Sequence, residues 1–136
     1  LTTGRILSQY NVGTQTRRTA NSKWHPEDVL EISKDDAATR GIRSGDMVKI
    51  TSRFGSTELR ALISKRVNPG IVYTTFHHTK SRVNVVTSDL SDWATNCPEY
   101  KVTAVEVSRV ISLNELKKEK TEKPNISKQK KVLAEV

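Results

Sequence analysis

The sequence predicts a mainly β fold, a small barrel of short strands with one brief helix. Apolar and polar residues alternate over several short stretches, as expected for strands that bury one face. Turn sequences rich in Gly, Pro, Asn and Ser separate these stretches at close spacing, and a single segment carries the start and stop signals of a helix. Such strands favour a barrel over a helical bundle or a doubly wound sheet.

The first predicted strand is the short apolar stretch Val29–Ile32, and the helix follows it directly. Ser33 is a suitable N-cap, and Asp35 and Asp36 place negative charge in the first turn, where the helix dipole favours it. Gly41 follows as a suitable C-terminal stop. These signals predict a helix of about two turns over residues 34–40.

A β-hairpin is predicted next. The sequence Arg43–Asp46 forms a turn, and Met47–Arg53 then alternates with Val48 and Ile50 on one face. Residues 54–56 turn the chain, and an alternating stretch over residues 58–63 returns beside the first strand. This pattern is typical of two antiparallel strands joined by a short loop.

Two further strands complete the predicted barrel. After a turn at Asn68–Gly70, the stretch Ile71–Phe76 is β-branched and aromatic and carries no charge, so we expect both of its faces to be covered. Lys101–Val107 alternates apolar and polar residues and is predicted to be the closing strand.

The charge of the chain is unevenly distributed. Of 136 residues, 23 are Lys or Arg and 15 are Asp or Glu, a formal net charge of +8, and half of that excess falls in residues 109–136. We predict a barrel domain over residues 1–108 and a Lys-rich, disordered tail over residues 109–136, where Pro124 prevents one continuous helix. The alternative is a basic arm that docks on a partner subunit or on nucleic acid.

The composition excludes several classes of protein. Cys97 is the single cysteine, which excludes an intramolecular disulfide framework, a zinc ribbon and a Cys-ligated iron–sulfur cluster within this chain, and we expect its thiol to be packed. No apolar stretch approaches the roughly 18 residues of a membrane span. The chain begins at Leu1 without an initiator Met or a signal peptide, so we expect a piece of a longer protein.

Catalytic and metal-binding motifs are also missing. The sequence contains no G-x-S-x-G, H-E-x-x-H, P-loop or G-x-G-x-x-G pattern. His77 and His78 are adjacent and would face opposite sides of a strand, so they are poorly placed to bind one metal ion together. We therefore predict no catalytic residue and no metal ligand in this chain.

Groups suited to anion binding are more plentiful. Thr2–Arg5 offers hydroxyl groups, a glycine and a guanidinium, and Tyr10–Thr19 is polar and contains two arginines. Further polar clusters run from Phe76 to Asn84 and over Asn96–Lys101. Ordinary hydrophilic loops are the competing interpretation. From the residues alone, we predict a small β-barrel that binds a phosphorylated, polar ligand.

Several short motifs together resemble one family. They are Leu1–Arg5, Tyr10–Thr14, Thr16–Thr19, His25–Asp28, Tyr73–His77 and Ser91–Lys101. The chain is similar over about residues 1–107 to the C-terminal cofactor-binding domain of the catalytic (alpha) subunit of molybdenum- or tungsten-dependent formate dehydrogenases. Those enzymes belong to the dimethyl sulfoxide reductase superfamily, whose general pattern the middle of the chain also resembles.

The resemblance implies a fold, a cofactor and a set of contacts. The fold is a double-psi β-barrel, and the cofactor is a bis(molybdopterin guanine dinucleotide) carrying Mo or W, one face of which this domain covers. Gln9 stands where some relatives have His. The implied cofactor contacts are Thr3, Gly4, Arg5, Gln9, Asn11, Phe76, His77, Asn84, Tyr100 and Lys101.

The resemblance also implies what lies outside this chain. Formate dehydrogenases interconvert formate and carbon dioxide, and their metal ligand and iron–sulfur clusters belong to upstream domains. The expected partners are those domains of the same subunit and electron-transfer subunits. The expected location is cytoplasmic, with the periplasm as the alternative. Alone, the chain is expected to be inactive on formate.

Two alternatives to formate dehydrogenase stay open at this point. The first keeps the fold and makes the chain a free-standing cofactor-binding subunit of a formylmethanofuran dehydrogenase, or part of another molybdopterin oxidoreductase. The second is a nucleic-acid-binding barrel that uses the +8 charge, which is disfavoured because aromatic residues make up only 5% of the chain.

Overall fold

The computed structural model describes residues 1–110, which form a mainly β fold. Six strands form one sheet in the order β1-β5-β2-β4-β3-β6. The strands are β1 (Thr2–Gly4), β2 (Val29–Ile32), β3 (Met47–Thr51), β4 (Ser56–Ile63), β5 (Val72–Thr75) and β6 (Glu106–Arg109). Helix α1 spans Lys34–Thr39, and short 3-10 helices span Thr16–Arg18, Ala20–Lys23 and Val83–Val86.

The sheet combines two parallel pairs of strands that are distant in sequence with three antiparallel pairs. β1 pairs with β5 and β2 with β4 in parallel, whereas β2–β5, β3–β4 and β3–β6 are antiparallel. The fold is a double-psi β-barrel, as the resemblance implies.

The core lies on the inner face of the strands. In β3 the burial alternates residue by residue, with Val48 and Ile50 inside, because successive side chains of a strand point to opposite faces. Burying each such aliphatic side chain contributes about 1.5–3 kcal/mol. The buried apolar residues are Leu30, Ile32, Ala37, Ile42, Val48, Ile50, Leu59, Ala61, Val72, Val83, Val86 and Val107.

The predicted helix and hairpin are confirmed. The Ser33 hydroxyl accepts a hydrogen bond from the Asp36 amide at 3.1 Å, as an N-cap should, and Gly41 follows the helix with a φ of +63°. β3 and β4 pair antiparallel over Met47–Thr51. At the turn between them, a Cβ added to Gly55 would lie 2.5 Å from the Val85 carbonyl oxygen, so the hairpin end packs directly on the Val83–Val86 helix.

Both ends of the described part of the chain differ from the prediction. Thr2–Gly4, where the sequence predicted no strand, is strand β1 and pairs with Tyr73–Thr75. The closing strand is Glu106–Arg109 rather than Lys101–Val107. Residues 101–105 lie beside the N-terminus instead, where the Leu1 amino group donates to the Thr103 carbonyl at 2.7 Å and the Thr103 amide donates back to Leu1 at 3.0 Å.

Two smaller expectations also change. Cys97 is exposed rather than packed. Arg109, placed in the tail from sequence, belongs to β6, and the Val110 amide donates to the Met47 carbonyl at 2.9 Å. The pairing therefore continues past the predicted boundary at residue 108. The rest of the predicted tail, residues 111–136, lies outside the described residues.

Candidate functional site

Opposite ends of the described chain meet at strand β1. The Thr3 hydroxyl donates to the Tyr100 carbonyl at 2.7 Å, and Lys101 Nζ donates to the Thr3 carbonyl at 2.8 Å. Thr3 is buried, whereas Lys101 is exposed. An ammonium group has three N–H donors, so Lys101 keeps donors for a further partner. The structure thus brings together three of the residues predicted to contact the cofactor.

Arg5 leaves the end of β1 and lies over Phe76. Its guanidinium carbon is 5.3 Å from the centre of the Phe76 ring, a cation–π arrangement. Within residues 1–110, no carboxylate and no hydrogen-bond acceptor engages this exposed guanidinium. Gly4 comes directly before Arg5, and the Tyr73 side chain packs on its backbone, since an added Cβ would lie 2.6 Å from the Tyr73 hydroxyl oxygen.

His77 is completely buried and holds the loop that follows Arg5. The Ile6 amide donates to His77 Nε2 at 3.1 Å, and His77 Nδ1–H donates to the Asn11 carbonyl. Asn11 adopts a left-handed φ of +48°, a conformation that Asn tolerates better than most residues. Both ring nitrogens of His77 are therefore engaged inside the chain, and His77 fixes the shape of the loop from Ile6 to Asn11.

Gln9 and Ser8 are buried in this loop with polar atoms left unpartnered. Gln9 Oε1 accepts from the Thr16 hydroxyl at 2.7 Å, but Gln9 Nε2 and Ser8 Oγ have no partner among the described residues. Leaving a buried polar group without a partner costs about 1–3 kcal/mol, so these two atoms are places where a further hydrogen-bond partner would stabilise the chain. Gly13 makes room here, since its φ is +70° and a Cβ would lie 3.0 Å from Gln9 Oε1.

Asp28 is a buried carboxylate to which the sequence interpretation gave no role, although it ends the motif His25–Asp28. It accepts hydrogen bonds from the amides of His77 and His78 at 3.1 and 2.9 Å, from His78 Nδ1 at 3.1 Å, and from the hydroxyls of Ser81 and Thr75. Burial raises the pKa of Asp28, but the hydrogen bonds from Ser81, Thr75 and His78 outweigh burial and leave that pKa below its usual value. Asp28 is thus an ionised anchor for the chain between β5 and the Val83–Val86 helix.

A cavity of about 410 Å³ opens beside this anchored segment. Phe76 and Asn84, both predicted contacts, lie in its wall, and Arg82 lies there with a left-handed φ of +45°. None of its lining residues is acidic. They are Val12, Phe76, His78, Thr79, Arg82, Val83, Asn84 and Val85.

The predicted contacts therefore fall into three neighbouring groups. Thr3, Tyr100 and Lys101 join the two chain ends, with Gly4 next in β1. Phe76 and Asn84 share the cavity wall, with Arg5 over Phe76. The third group is the loop with Gln9, Asn11 and His77.

These features define a small β-barrel domain with polar and cationic groups in the loops at its strand ends. The chain belongs to the family described as the molydopterin dinucleotide binding domain, whose model matches residues 1–104. The resemblance seen in the sequence motifs is thereby confirmed.

Curated relatives place this domain within larger proteins. The chain is 40% identical over 111 residues to the F420-dependent formate dehydrogenase subunit alpha of Methanocaldococcus jannaschii, a match that covers 81% of this chain and 16% of the relative. It is 39% identical over 114 residues to a nitrate reductase of Symbiobacterium thermophilum, covering 80% and 15%. The chain thus spans about a sixth of the length of these relatives.

Among solved structures, acetylene hydratase from Pelobacter acetylenicus superposes with a TM-score of 0.67 at 14% identity, over 80% of this chain and 18% of that one. At that identity the likeness shows the fold alone.

None of the helices within residues 1–110 has the length and apolar character of a membrane span.

Proposed function

We propose that the chain binds and partly buries the bis(molybdopterin guanine dinucleotide) cofactor, with Mo or W, of a formate dehydrogenase that interconverts formate and carbon dioxide. The proposal rests on polar groups near Phe76 and His77 that have no hydrogen-bond partner among the described residues. The Arg5 guanidinium lies over Phe76, and the loop held by His77 contains the buried, unpartnered Gln9 Nε2. A ligand with phosphates and a polar heterocycle fits this donor set.

Each predicted contact has a chemical role in the proposal. Arg5 and Lys101 neutralise phosphate oxygens, because both are exposed cations next to strand β1. The side-chain amides of Gln9, Asn11 and Asn84 hydrogen-bond the edges of heterocyclic rings, and Phe76 packs against a ring face.

The other four predicted contacts position the backbone of the site. Thr3 and Gly4 bring the backbone of β1 close to the ligand, Tyr100 connects the C-terminal segment to Thr3, and His77 holds the loop in shape.

The cofactor supplies, when bound, the metal centre at which formate is oxidised or carbon dioxide reduced. This chain binds and orients that cofactor and shields one face of it from water. We expect the metal ligand and iron–sulfur clusters in upstream domains of the same subunit, electron-transfer subunits as further partners, and a cytoplasmic location. Without those domains the chain should not turn over formate.

A second candidate function is supported by the comparison with nitrate reductase. The identity to that enzyme, 39%, nearly equals the 40% identity to the formate dehydrogenase alpha subunit. The same domain therefore suits another molybdopterin oxidoreductase. Assaying the complete catalytic subunit with formate and with nitrate separates the two, because activity on nitrate alone would exclude formate dehydrogenase.

The test of cofactor binding uses the full 136-residue chain and the dinucleotide cofactor under anaerobic conditions, with fluorescence as the readout. Arg5→Ala and Lys101→Ala should each weaken binding about 10- to 100-fold, because each removes a charge-assisted contact worth about 1.5–3 kcal/mol. The control is Lys49→Ala, which removes an exposed charge from β3. Unchanged affinity in both variants would exclude this site, and absent binding by the unmodified chain would exclude the function.

A further inference from the structure

A buried carboxylate lies in the middle of the outer face of the sheet. Glu31 of β2 is paired in register with Leu62 of β4 on one side and with Tyr73 of β5 on the other. Tyr73 is paired in turn with Thr2 of β1. Paired residues of neighbouring strands point to the same face of a sheet, and the core residue Leu30 next to Glu31 points to the opposite face. Glu31 therefore lies outside the core, in a row of four side chains that crosses β4, β2, β5 and β1.

Only one of the two oxygens of the Glu31 carboxylate has a partner among the described residues. The side chain is 8% exposed, and Arg66 Nη1 lies 3.3 Å from Oε1, whereas Oε2 accepts no hydrogen bond from residues 1–110. Leaving a buried polar atom without a partner is unfavourable, and more so for a charged group. The Arg66 side chain is 76% exposed, so its ion pair stabilises the chain little and it can move to admit a second donor.

A small cavity beside Glu31 has room for such a donor. Its volume is about 210 Å³, and its walls include Arg66, Asn68 and Tyr73 as well as Glu31. The Tyr73 ring lies 6.0 Å from the Arg66 guanidinium carbon, so the cavity already accepts a cation next to an aromatic face. The ten residues predicted to contact the cofactor are all absent from its lining within residues 1–110, so this cavity is separate from the candidate cofactor site.

The surface around this cavity is apolar where the sequence predicts cover. Residues 71–76 carry no charge, and both faces of this stretch are expected to be covered. On the inner face Val72 belongs to the core, but on the outer face Ile71 is 45% exposed and Leu62 is 43% exposed. Exposed apolar side chains around a desolvated polar group are typical of an interface, where they exclude water from the central contact.

We propose that this outer face docks against another domain of the same catalytic subunit, and that an arginine or lysine side chain of that domain binds Glu31 Oε2. A cation is the complementary donor, because hydrogen bonds between charged groups are about twice as strong as those between neutral groups. About five sixths of the length of the curated relatives lies outside the matched region, so each of them has further domains for this face to contact. The inference rests on the proposed function only in taking such domains to accompany this chain.

Thiol labelling at position 71 measures whether the outer face is covered. Ile71→Cys, combined with Cys97→Ser to remove the exposed native thiol, is treated with a maleimide in the full 136-residue chain and in the complete catalytic subunit. Mass spectrometry of the peptide that contains residue 71 reads the labelling at this position alone. We expect labelling to be at least about 10-fold slower in the complete subunit, because docking covers the side chain. Equal rates would overturn the proposal.

Two replacements of Glu31 in the complete subunit identify the group that it binds. Glu31→Gln removes the charge but keeps an acceptor oxygen, and Glu31→Met removes both. We expect each to speed labelling at residue 71 about 10-fold, because a charge-assisted hydrogen bond across the interface is lost. Faster labelling with Glu31→Met alone would indicate a neutral donor, and unchanged labelling with both would indicate no bond at Oε2. Either result contradicts the proposal. Glu106→Gln is the matched control, since it removes the same charge from an exposed position on β6 and should leave the rate unchanged.

Urea denaturation of the 136-residue chain separates this role of Glu31 from a purely structural one. Because Oε2 has no partner among the described residues, Glu31→Gln should unfold at the same or a higher urea concentration than the unmodified chain. Arg66→Gln should change the midpoint little, since the ion pair that it breaks is exposed. A lower midpoint for Glu31→Gln would show that the carboxylate serves the fold through Arg66, and the inference would then be wrong.

Failure of this inference and failure of the proposed function give different results. If the chain binds the dinucleotide cofactor, but residue 71 is labelled equally fast in the chain and in the complete subunit, the inference fails and the proposed function stands. If residue 71 is protected in the subunit and Glu31→Gln exposes it, while the chain does not bind the cofactor, the inference stands and the proposed function fails.

Discussion

Replacing Asp28 by Asn tests the anchor on which the candidate site is built. The side chain keeps its size but loses its charge, and one acceptor oxygen becomes an NH₂ donor. At Oδ2 that donor would face the His78 amide and the Ser81 hydroxyl, and at Oδ1 it would face the His77 amide and the Thr75 hydroxyl. In either orientation buried donors point at each other.

The expected loss of stability follows from these contacts. Each buried donor left without an acceptor costs about 1–3 kcal/mol, and removing one partner of a buried charged network costs about 3–5 kcal/mol. We therefore expect Asp28→Asn to lower the free energy of unfolding by about 3 kcal/mol, a large part of the roughly 5–15 kcal/mol of a typical domain. Urea denaturation of the full chain measures it.

The matched control is Asp89→Asn, which removes the same charge at an exposed position and should change stability by less than about 0.5 kcal/mol. If Asp28→Asn unfolds at the same urea concentration as Asp89→Asn, the carboxylate does not anchor the segment, and the account of the site built on it is wrong.

The pH dependence gives an independent check of the charge on Asp28. Its pKa in the folded chain is lowered, so the folded state holds the proton less tightly than the unfolded state. The resulting stabilisation is fully present above the unfolded pKa, about 3.9, and is lost as the pH falls through the lower folded value. The unmodified chain should therefore lose stability below about pH 4, and Asp28→Asn should lose less over the same range.

The remaining predictions concern the loop from Ile6 to Asn11 and Gly13, which lies beside it. His77→Phe should cost about 1–3 kcal/mol and speed hydrogen exchange of the Ile6 amide, because that amide and the Asn11 carbonyl lose their partners, whereas His25→Phe at an exposed position should not. Unchanged exchange at Ile6 would show that His77 does not hold the loop. Gly13→Ala should destabilise the chain more than Gly41→Ala, since both glycines have positive φ but only Gly13 has atoms within 4 Å of an added Cβ. Equal losses in urea denaturation would contradict the crowding at Gly13.

The elements that sequence predicted correctly are those with local causes. The Ser33 cap, the acidic first turn and Gly41 define α1 within about ten residues of chain. The β3–β4 hairpin follows from alternation on both sides of a short turn. In each case the partner of every group lies a few residues away, so the signal is present in the local sequence.

The two ends of the described part of the chain were predicted poorly because their partners are distant. β1 has three residues, two of them threonines, and exists as a strand through parallel pairing with Tyr73–Thr75. Lys101–Val105 alternates like a strand, yet its contacts are with Leu1 and Thr3, about a hundred residues away in sequence. Alternation shows that a segment suits a strand but does not identify its partner.

The sequence was likewise informative about only part of the candidate site. The resemblance gave ten residues, which the structure places in three groups, but it did not show which of them hold other parts of the chain in place. His77 was predicted as a contact, and the structure shows its ring nitrogens bound to the Ile6–Asn11 loop. Asp28 had no assigned role, and it anchors the residues from Thr75 to Ser81. Only coordinates show where a buried polar group finds its partner.

These buried polar contacts explain how short strands can support a defined site. The hydrophobic core of the barrel ends with the strands. Apart from Thr3 and Gly4 of β1, the predicted contacts lie in irregular segments beyond the strands, where no ladder of backbone hydrogen bonds fixes the chain. Single buried groups fix these segments instead, with His77 holding the loop after Arg5, Asp28 the segment before Arg82, and Thr3 the C-terminal segment. Because each of these groups binds backbone atoms of its segment, it fixes the path of the chain while the neighbouring side chains stay available. Substitutions at the three positions should therefore change ligand affinity through loop order, whereas substitution of the exposed Arg5 should change it without altering the fold.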